Sequence, residues 1–474
     1  MKQVIHCDIA ILGAGSGGLS LASGAAQLGA KVVLVESDKM GGDCLNYGCI
    51  PSKSLLAAAK SVYHTKHTNY VDIQTDALEV DFSKVMEHVR TVVATIGKHD
   101  SVERFESLGV QVIKASGKFI GPNVLQANDY FIHAKYFVIA TGSSPFIPPI
   151  IGLDKIIYET NETIFNLNHL PAHLIVIGGG PIGCELAQAF LMLGSQVTLL
   201  EAATILPHDD KDCVAILREQ FKRMGMVLHE KSEVQKVEQT DKEQITVHVK
   251  KGETCFSIQG SHLLVAAGRG ANVKHLCLDK ADVRYSHKGI EVDRRLRTTN
   301  KNIYAMGDVV GDFQFTHIAS YHSSIILRNI LFWLPAKIDY RAVPWITYTS
   351  PELAHVGITS KEAAMRSNTQ ITTFPFAGND RAQAEHASDG LIKAVSDHKG
   401  RILGITIVGA NAGELLLPWV IAIRTKKTLR FFTDTVVPYP TFSELSKQVA
   451  GEYYKPKLFS KWVRCFVRLL LKIR

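Results

Sequence analysis

Two glycine-rich turns, each set between an apolar run and a helical stretch, constrain the fold of this chain more than any other feature. In the first unit the apolar run 9–12 leads into the turn 13–18, and a stretch rich in Ala and Leu follows. A second apolar run, 32–35, ends at Glu36. The order of strand, turn, helix, strand and acid is that of a dinucleotide-binding unit in an α/β protein.

The glycines and the acid of this unit have separate tasks. Gly13 makes the tight turn, Gly15 lets the backbone approach a pyrophosphate, and Gly18 lets the helix pack on the strand. The phosphates then lie at the positive end of the helix, and Glu36 accepts a hydrogen bond from a ribose hydroxyl. These four residues are candidate ligands of a dinucleotide.

Residues 174–201 repeat the whole pattern. Gly178, Gly180 and Gly183 match the first glycine set, and Glu201 lies 23 residues after the first glycine, as in the first copy. A single turn of this type arises by chance in many loops. Two copies in the same strand–helix–strand context are far more specific.

Two dinucleotide sites in one chain indicate two different dinucleotides, a bound flavin and a mobile nicotinamide. Electrons would pass from the nicotinamide to the flavin. A carboxylate at Glu201 accepts from a ribose 2′-hydroxyl and repels a 2′-phosphate, and residues 202–210 contain no arginine to bind that phosphate. The sequence therefore favours NADH over NADPH.

Length and composition indicate a multi-domain globular protein. The chain has 474 residues, 46% of them apolar, and eight cysteines. That cysteine content is ordinary for this length, so a disulfide-stapled secreted module is not indicated. The N-terminus does not resemble a signal peptide, and no uncharged apolar run is long enough for a spanning helix. We expect a soluble, cytoplasmic protein.

The positive charge of the chain is concentrated at one end. The formal net charge is +8, and residues 455–474 carry seven Lys and Arg and no Asp or Glu, so the remaining residues sum to +1. A diffuse basic surface for nucleic acid is therefore not indicated. The charge is a local feature of the C-terminal segment.

Cys44 and Cys49 lie in the stretch GGDCLNYGCIPSK, residues 41–53. Two buried structural thiols are one interpretation, because free cysteine is commonly buried. A zinc site is disfavoured, because no second Cys or His pair at such spacing accompanies this one. The segment that begins at Pro51 is typical of a helix, so the pair is expected at a helix N-terminus, where a thiolate is stabilised.

The chain resembles the pyridine nucleotide–disulfide oxidoreductases, the flavoprotein family of dihydrolipoamide dehydrogenase, glutathione reductase and mercuric reductase. The resemblance extends over about residues 4–450, and the cysteine stretch matches the family's redox-active disulfide motif. Four further stretches resemble family motifs: VIATGSSP (138–145), LLVAAGRGAN (263–272), NIYAMGDVVG (302–311) and TYTSPELAHVG (347–357). The implied fold has two Rossmann-like domains, for FAD and NAD, and an α+β dimerisation domain.

The resemblance implies a role for each redox residue. Cys49 would lie against the flavin ring as the charge-transfer thiolate, and Cys44 would be the interchange thiol that meets the substrate. Lys53 would pair with Glu185 beside the flavin and nicotinamide, with an ordinary surface salt bridge as the alternative. Asp308 would bind the ribityl chain of the flavin.

The motifs and the resemblance together indicate two sets of cofactor ligands. The FAD set is Gly13, Gly15, Gly18, Glu36, Gly42, Lys53, Gly117, Thr141, Gly142, Ser143, Asp308, Thr316 and His317. The NAD set is Gly178, Gly180, Gly183, Glu201 and Gly268. No metal site is expected.

One position departs from the pattern of the family. Members that reduce small disulfides carry His-Pro-Thr-x-x-Glu near the C-terminus, where the His, oriented by the Glu, moves a proton to and from the interchange thiol of the partner subunit. This chain keeps Pro440, Thr441 and Glu444 but has Tyr439 in place of the His. Tyrosine titrates near 10 and is a poor base, so efficient turnover of lipoamide or glutathione is in doubt.

A tyrosine also occurs in this region of mercuric reductases, which handle thiolate-bound metal. Those enzymes carry a cysteine pair at the extreme C-terminus, whereas this chain has only Cys465 there, and many carry an N-terminal metal-binding domain that we do not expect here. An interface aromatic without chemistry is the other interpretation of Tyr439.

The C-terminal segment 455–474 has the composition of a membrane-surface helix. Its basic residues would form one narrow stripe on a helix and its apolar residues would cover the other side. The stripe is Lys457, Lys461, Arg464, Arg468 and Lys472. The alternative is a helix docked on the protein body. Binding at the inner face of a membrane would suit a lipid-soluble acceptor such as a quinone.

We expect five segments along the chain. These are an FAD domain (1–150), an NAD domain (151–270), a second part of the FAD domain (271–340), a dimerisation domain (341–450) and a basic tail (451–474).

The leading hypothesis is a homodimeric oxidoreductase that passes electrons from NADH through FAD to the Cys44–Cys49 disulfide and on to a thiol or disulfide acceptor. A mercuric-type metal reductase and a quinone reductase or NADH oxidase that uses the flavin directly are the alternative enzymes. A non-enzymatic flavin-binding membrane scaffold is the remaining alternative.

Overall fold

The computed structural model describes residues 2–67, 79–241 and 244–473. It divides into two compact units. The first unit comprises Met1–Tyr63, Ala77–Ala202 and Ser232–Asp339, and the second comprises His64–Asp76, Ala203–Lys231 and Tyr340–Arg474. The five-segment division made from the sequence stays a prediction.

The first unit is a mixed α/β body. Its helices are α1 (Ser16–Gln27), α2 (Gly42–Asn46), α3 (Cys49–Lys66), α4 (Phe82–Gly97), α5 (Val102–Ser107), α6 (Pro181–Leu193) and α8 (Thr316–Leu331). Its strands are β1 (Gln3–Leu12), β2 (Val32–Glu36), β3 (Val110–Lys114), β4 (Gly117–Gly121), β5 (Val124–Ala127), β6 (Tyr130–Ile139), β7 (Ser143–Pro145), β8 (His173–Ile177), β9 (Gln196–Glu201), β11 (Glu233–Asp241), β12 (Gln244–Lys251), β13 (Thr254–Gly260), β14 (His262–Val265), β15 (Arg269–Ala271), β16 (Tyr285–Ser286), β17 (Gly289–Ile290) and β18 (Ile303–Ala305).

The sheet around β1 carries the first glycine unit. Its strand order is β3-β2-β1-β6-β5-β4, and β18 also pairs with β6. Strands β1, β2, β3, β6 and β18 run parallel. Residues 9–12 of β1 are buried, as expected for a strand covered on both faces of a parallel sheet. The glycine turn follows directly at the carboxyl end of this strand.

The second glycine unit has the same local construction. Strand β8 lies between β9 and β14, and all three are parallel. Helix α6 begins at Pro181, where the fixed φ of proline suits the first turn of a helix. An antiparallel meander, β11-β12-β13, follows in the chain. Two Rossmann-like units in one mixed α/β chain confirm the fold class expected from the sequence.

The second unit is built on an antiparallel sheet of order β19-β20-β23-β22-β21. Its strands are β10 (Val227–Glu230), β19 (Pro344–Thr347), β20 (Glu352–Gly357), β21 (Thr369–Pro375), β22 (Leu391–Asp397) and β23 (Ile402–Gly409). Its helices are α7 (Lys211–Arg223), α9 (Ser360–Ala364), α10 (Asp380–Ala384), α11 (Ala412–Leu415), α12 (Leu417–Arg424), α13 (Arg430–Thr433), α14 (Glu444–Leu458) and α15 (Lys461–Ile473).

The expectation that five basic residues of the tail form one stripe on a single helix is wrong for the first of them, Lys457. Helix α14 ends at Leu458, and α15 begins at Lys461. Lys457 therefore belongs to α14, where its ammonium group lies 2.7 Å from the hydroxyl of Tyr453. The break is stabilised locally, because the Ser460 hydroxyl accepts from the amide of Val463. In the described ranges, no helix is long and apolar enough to cross a bilayer.

The core of the second unit centres on Trp419, which is fully buried in α12. Its indole Nε1 donates to the hydroxyl of Ser446 on α14 at 3.0 Å, and its ring lies 4.0 Å from that of Phe432, between centroids. The side chain thus joins three helices of this unit through both apolar and polar contacts. A residue of this size with a satisfied indole is a main source of stability in a core.

Trp419→Ala is expected to lower the free energy of unfolding by about 3–5 kcal/mol, because the truncation leaves a cavity and an unpaired Ser446 hydroxyl. Urea unfolding followed by circular dichroism measures the change. The control is Met365→Ala, at a side chain that is 77% exposed, which should change stability by less than about 0.5 kcal/mol. Equal destabilisation by both variants would contradict this account of the core.

Candidate active site

The two cysteines of the stretch 41–53 lie on successive helices of the first unit. Cys44 belongs to the short helix α2, and Cys49 is the first residue of the 18-residue helix α3. Gly41 and Gly42 adopt φ of +87° and +60°, which favour glycine, and so turn the chain into α2. The predicted position at a helix N-terminus is thus found for Cys49.

The two thiols form a polarised pair. The hydrogen bond with Cys44 is the largest influence that lowers the pKa of Cys49 below its ordinary value. A contact of 3.5 Å with the hydroxyl of Thr316 and the positive charge of Lys53 act in the same direction, against the effect of burial. The same hydrogen bond, with burial, raises the pKa of Cys44. The pair therefore holds its negative charge on Cys49 and its proton on Cys44.

Lys53 and Glu185 form an ion pair, with 2.6 Å between Nζ and Oε2. Lys53 lies one turn after Cys49 on α3, and Glu185 lies two residues after Gly183 on α6. Glu185 is only 3% exposed, so this is not the ordinary surface salt bridge that was the alternative. The pair joins the helix of the cysteines to the helix of the second glycine unit.

Asp308 occupies the short turn of helix Gly307–Val310 and takes part in a chain of polar contacts. The hydroxyl of Ser143 donates to its carboxylate at 2.6 Å, and Arg269 Nε donates to the same hydroxyl at 2.7 Å. Burial raises the pKa of Asp308 above its ordinary range. The carboxyl group is thus held in a fixed orientation by Ser143, which was predicted as a ligand, and by Arg269 behind it, which was not.

Three polar residues of this region were missed in the sequence. The guanidinium of Arg269 lies 3.1 Å from the carboxylate of Asp43, and Asn161 Nδ2 donates to the same carboxylate at 3.0 Å. Asp43 lies between Gly42 and Cys44, and Arg269 follows Gly268. Both could therefore be found in the sequence by considering the side chains next to motif glycines. Nothing in the sequence around Asn161 indicates its position.

The glycine turns have the geometry that their proposed tasks require. A Cβ on Gly13 would lie 2.3 Å from the carbonyl oxygen of Ala140, and Gly13 has φ of +104°. A Cβ on Gly18 would lie 1.9 Å from the carbonyl oxygen of Gly13. The first and third glycines are therefore fixed by packing within the protein.

The corresponding positions of the second turn repeat these values. A Cβ on Gly178 would lie 2.2 Å from the oxygen of Ala266, and one on Gly183 would lie 1.9 Å from the oxygen of Gly178. The middle glycine of this turn is not crowded like the other two, because a Cβ on Gly180 would meet no atom within 4 Å. Space is therefore left in front of the N-terminus of α6, which fits a bound pyrophosphate.

Both acids contact the glycine turn of their own unit. Glu36 accepts from the amide of Ala14 at 2.5 Å, and Glu201 accepts from the amide of Gly179 at 2.7 Å. Each carboxylate thereby lies beside its turn, where a ribose of a dinucleotide would be placed. The equivalence of the two units extends from the sequence spacing to individual hydrogen bonds.

The remaining predicted ligands lie on loops or at the ends of helices and strands. Thr141 and Gly142 follow β6, and the Thr141 hydroxyl donates to the carbonyl of Asn272 at 2.8 Å. The others lie at element ends of the first unit: Gly42 begins α2, Gly117 begins β4, Thr316 and His317 begin α8, and Gly268 precedes β15.

Tyr439 and Glu444 belong to the second unit. The hydroxyl of Tyr439 donates to Asp380 at 2.9 Å, and Glu444 is the first residue of α14. The hydrogen bond to Asp380 is the largest influence that raises the pKa of Tyr439 above its ordinary value. Asp380 was not identified from the sequence. Among the described residues, no group of His, Cys, Asp and Glu has the arrangement of a metal site.

Comparison with known proteins agrees with this geometry. A family model described as pyridine nucleotide-disulphide oxidoreductase matches residues 7–323, and the model of the dimerisation domain of that family matches residues 343–450. The chain belongs to the pyridine nucleotide-disulphide oxidoreductase family. Members contain FAD and depend on NAD(P)H, and the two glycine turns of this chain fit these groups. The dimerisation-domain match supports a homodimer.

The similar curated proteins have two different activities. The chain is 33% identical to a mercuric reductase of Lysinibacillus sphaericus over 94% of its length and 83% of that protein. It is 32% identical to a dihydrolipoyl dehydrogenase of Bacillus subtilis over 92% of its length and 96% of that protein. Because the identity to both is nearly equal, it does not distinguish between the two electron acceptors, and the site residues of this chain are the basis for a choice.

Two solved structures are similar to the whole chain. The Cu(II) complex of the HOCl-induced flavoprotein disulfide reductase RclA from Escherichia coli superposes with a TM-score of 0.85 at 28% identity, over 94% of this chain and 99% of that one. LpdA from Mycobacterium tuberculosis superposes with a TM-score of 0.86 at 27% identity, over 94% and 99%.

The polarity of the thiol pair leads to a measurable difference between two substitutions at Cys44. Cys44→Ala removes the hydrogen-bond donor, so the pKa of Cys49 is expected to rise by roughly one pH unit. Cys44→Ser keeps a donor and should cause a clearly smaller rise. Alkylation of Cys49 by iodoacetamide in the reduced holoenzyme, followed against pH by mass spectrometry, gives both values. Identical pH profiles for the two variants would contradict the assigned hydrogen bond.

Proposed function

We propose that this protein passes two electrons from NADH through FAD to the Cys44–Cys49 disulfide and from the resulting dithiol to a small disulfide-type acceptor, which is reduced to thiols. The observation that carries the proposal is the polarised thiol pair beside the Lys53–Glu185 ion pair. Bound FAD supplies the chemistry that links hydride transfer from a nicotinamide to reduction of a disulfide. In the net reaction, NADH, a proton and the disulfide give NAD⁺ and two thiols.

The residues of the chain hold the charge and the proton of the reduced state. Cys49 keeps the negative charge, which is stabilised by the Cys44 thiol, by Thr316 and by the cationic Lys53. Cys44 keeps the transferable proton and is the candidate interchange thiol. Its attack on an acceptor requires loss of that proton, and the hydrogen-bonded Cys49 sulfur is the nearest base in the described site.

The preference for NADH rests on Glu201. Its carboxylate is fixed by the amide of Gly179 beside the second glycine turn. A negative charge at this place attracts a ribose 2′-hydroxyl and repels a 2′-phosphate. This is the electrostatic reason to propose NADH rather than NADPH as the donor.

Steady-state assays of the holoenzyme with NADH or NADPH and with lipoamide, glutathione disulfide, mercuric or cupric ion, or a quinone test the proposed path. Cys44→Ser is expected to lower turnover with a disulfide acceptor at least about 100-fold, because no mixed disulfide between the interchange thiol and the acceptor can form. The rate at which oxygen or a quinone oxidises the reduced enzyme should be unchanged. If Cys44→Ser keeps full turnover with every acceptor, electrons leave directly from the flavin and the proposal is wrong.

A metal ion is the second candidate acceptor, and the Tyr439–Asp380 contact favours it. The carboxylate of Asp380 raises the pKa of Tyr439, so this side chain stays protonated at neutral pH and accepts no proton from an interchange thiol. A metal ion is taken up by thiolates without proton delivery to a leaving thiol. The similar proteins include a mercuric reductase and a flavoprotein disulfide reductase in complex with Cu(II), which agrees with a metal acceptor.

Tyr439→His is expected to raise turnover with lipoamide by about 100-fold, because a base that titrates near neutral pH is introduced. The rate with mercuric ion should change little. Tyr439→Phe is the matched control, which removes the hydroxyl without adding a base and should leave lipoamide turnover low. High lipoamide turnover by the unmodified enzyme would show that Tyr439 does not limit proton transfer.

A further inference from the structure

The C-terminal helix α15 is amphipathic and makes no buried contact. It extends over Lys461–Ile473, and none of its residues is buried. Trp462 is 86% exposed, and the other large apolar residues are also exposed: Phe466, Val467, Leu469, Leu470, Leu471 and Ile473. A helix with this many exposed apolar side chains is stable only when a second surface covers them.

The charged and apolar residues of α15 occupy separate sides. With 3.6 residues per turn, Lys461, Arg464, Arg468 and Lys472 fall within an arc of about 80°. The apolar residues occupy most of the remaining circumference, over about 200°. The helix contains no acidic residue. Such an apolar arc is wider than the stripe of a helix that packs against one protein core.

The preceding helix holds this amphipathic helix to the second unit. Leu445, Val449 and Tyr453 of α14 are buried in the core of that unit, and the Tyr453 hydroxyl donates to the carbonyl of His398 at 2.9 Å. The link between the helices is short, and Arg464 Nε donates across it to the carbonyl of Phe459 at 3.0 Å. The tail helix is therefore attached to a folded body.

We propose that α15 binds the surface of an anionic lipid bilayer. Its apolar arc, which includes Trp462 and Phe466, would enter the boundary between headgroups and acyl chains, and its cationic stripe would contact anionic headgroups. The charge favours an anionic surface over a second copy of the helix as the occupant, because a second copy of α15 carries no acidic residue that could pair with the cationic stripe. The proposal is independent of the identity of the electron acceptor.

Flotation of the flavin-loaded full chain with lipid vesicles tests this proposal. Vesicles of phosphatidylcholine with about one-third phosphatidylglycerol are compared with vesicles of phosphatidylcholine alone, at low and high salt. We expect at least tenfold stronger partitioning to the anionic vesicles, weakened by salt. Emission of Trp462 should shift to shorter wavelength only with those vesicles, and Trp462→Phe should remove the shift.

Matched sets of variants separate the contribution of the charged side of α15 from that of its apolar side. Reversal of three charges on α15 should reduce anionic partitioning by roughly tenfold or more, and the same reversal at exposed lysines elsewhere should not. The tail set is Arg464→Glu, Arg468→Glu and Lys472→Glu, and the control set is Lys118→Glu, Lys361→Glu and Lys399→Glu.

The apolar side is tested in the same way. Phe466→Gln with Leu470→Gln should also abolish partitioning. Ile157→Gln with Met365→Gln, at side chains that are both 77% exposed, should not.

Three outcomes would overturn the proposal. The first is equal partitioning of the protein to neutral and anionic vesicles, or none to either. The second is a Trp462 emission that is already blue-shifted without lipid, together with a lower oligomeric mass of the Phe466→Gln/Leu470→Gln variant, which would assign the helix to a second copy. The third is tail-dependent binding to heparin that the apolar variant retains, with no binding to vesicles, which would mark the stripe as a general polyanion site.

Discussion

The interaction between the thiols of Cys44 and Cys49 is the one on which the proposed chemistry of this protein depends. It separates two identical groups into one that holds a negative charge and one that holds a proton. Two thiols with equal surroundings would have no such asymmetry. The difference arises from placement, because Cys49 begins α3, near Thr316 and Lys53, whereas Cys44 lies on the preceding short helix. The flanking glycines permit this arrangement of two helices in sequence.

The Lys53–Glu185 ion pair connects that centre to the second dinucleotide unit. Glu185 is buried and lies just after the glycine turn at the start of α6, so its charge requires the nearby ammonium group. The redox pair and the turn for the second dinucleotide are thereby kept on two helices that contact each other. The contacts of Arg269 and Asn161 with Asp43 join the surroundings of the cysteine pair to more distant parts of the first unit in the same way.

The second unit contains two features on which the proposals for this protein depend. Tyr439 donates a hydrogen bond to Asp380 at the position where the family resemblance leads us to expect a histidine. Helix α15 extends from the same unit with its apolar side uncovered. The first feature bears on the proposed electron acceptor, and the second bears on the proposed lipid surface.

The sequence alone determined the two dinucleotide units, the cysteine pair and the departure at Tyr439, because each depends on residue types at short fixed spacings along the chain. The glycine turns are such a case, since only glycine avoids the clash of a Cβ with Ala140 or Ala266. Only the tertiary structure decided which groups meet across long separations. Asn161 and Asp43 approach from 118 residues apart, Arg269 lies against Ser143, and Asp380 receives the hydrogen bond of Tyr439. The structure also decided where α14 ends. This helix ends at Leu458 and Ser460 caps the next one, so Lys457 is not part of the cationic stripe, which the spacing of the basic residues alone does not reveal. Spacing describes the neighbours of a residue along one element, whereas the polarity of a site depends on atoms that the fold brings to it from elsewhere.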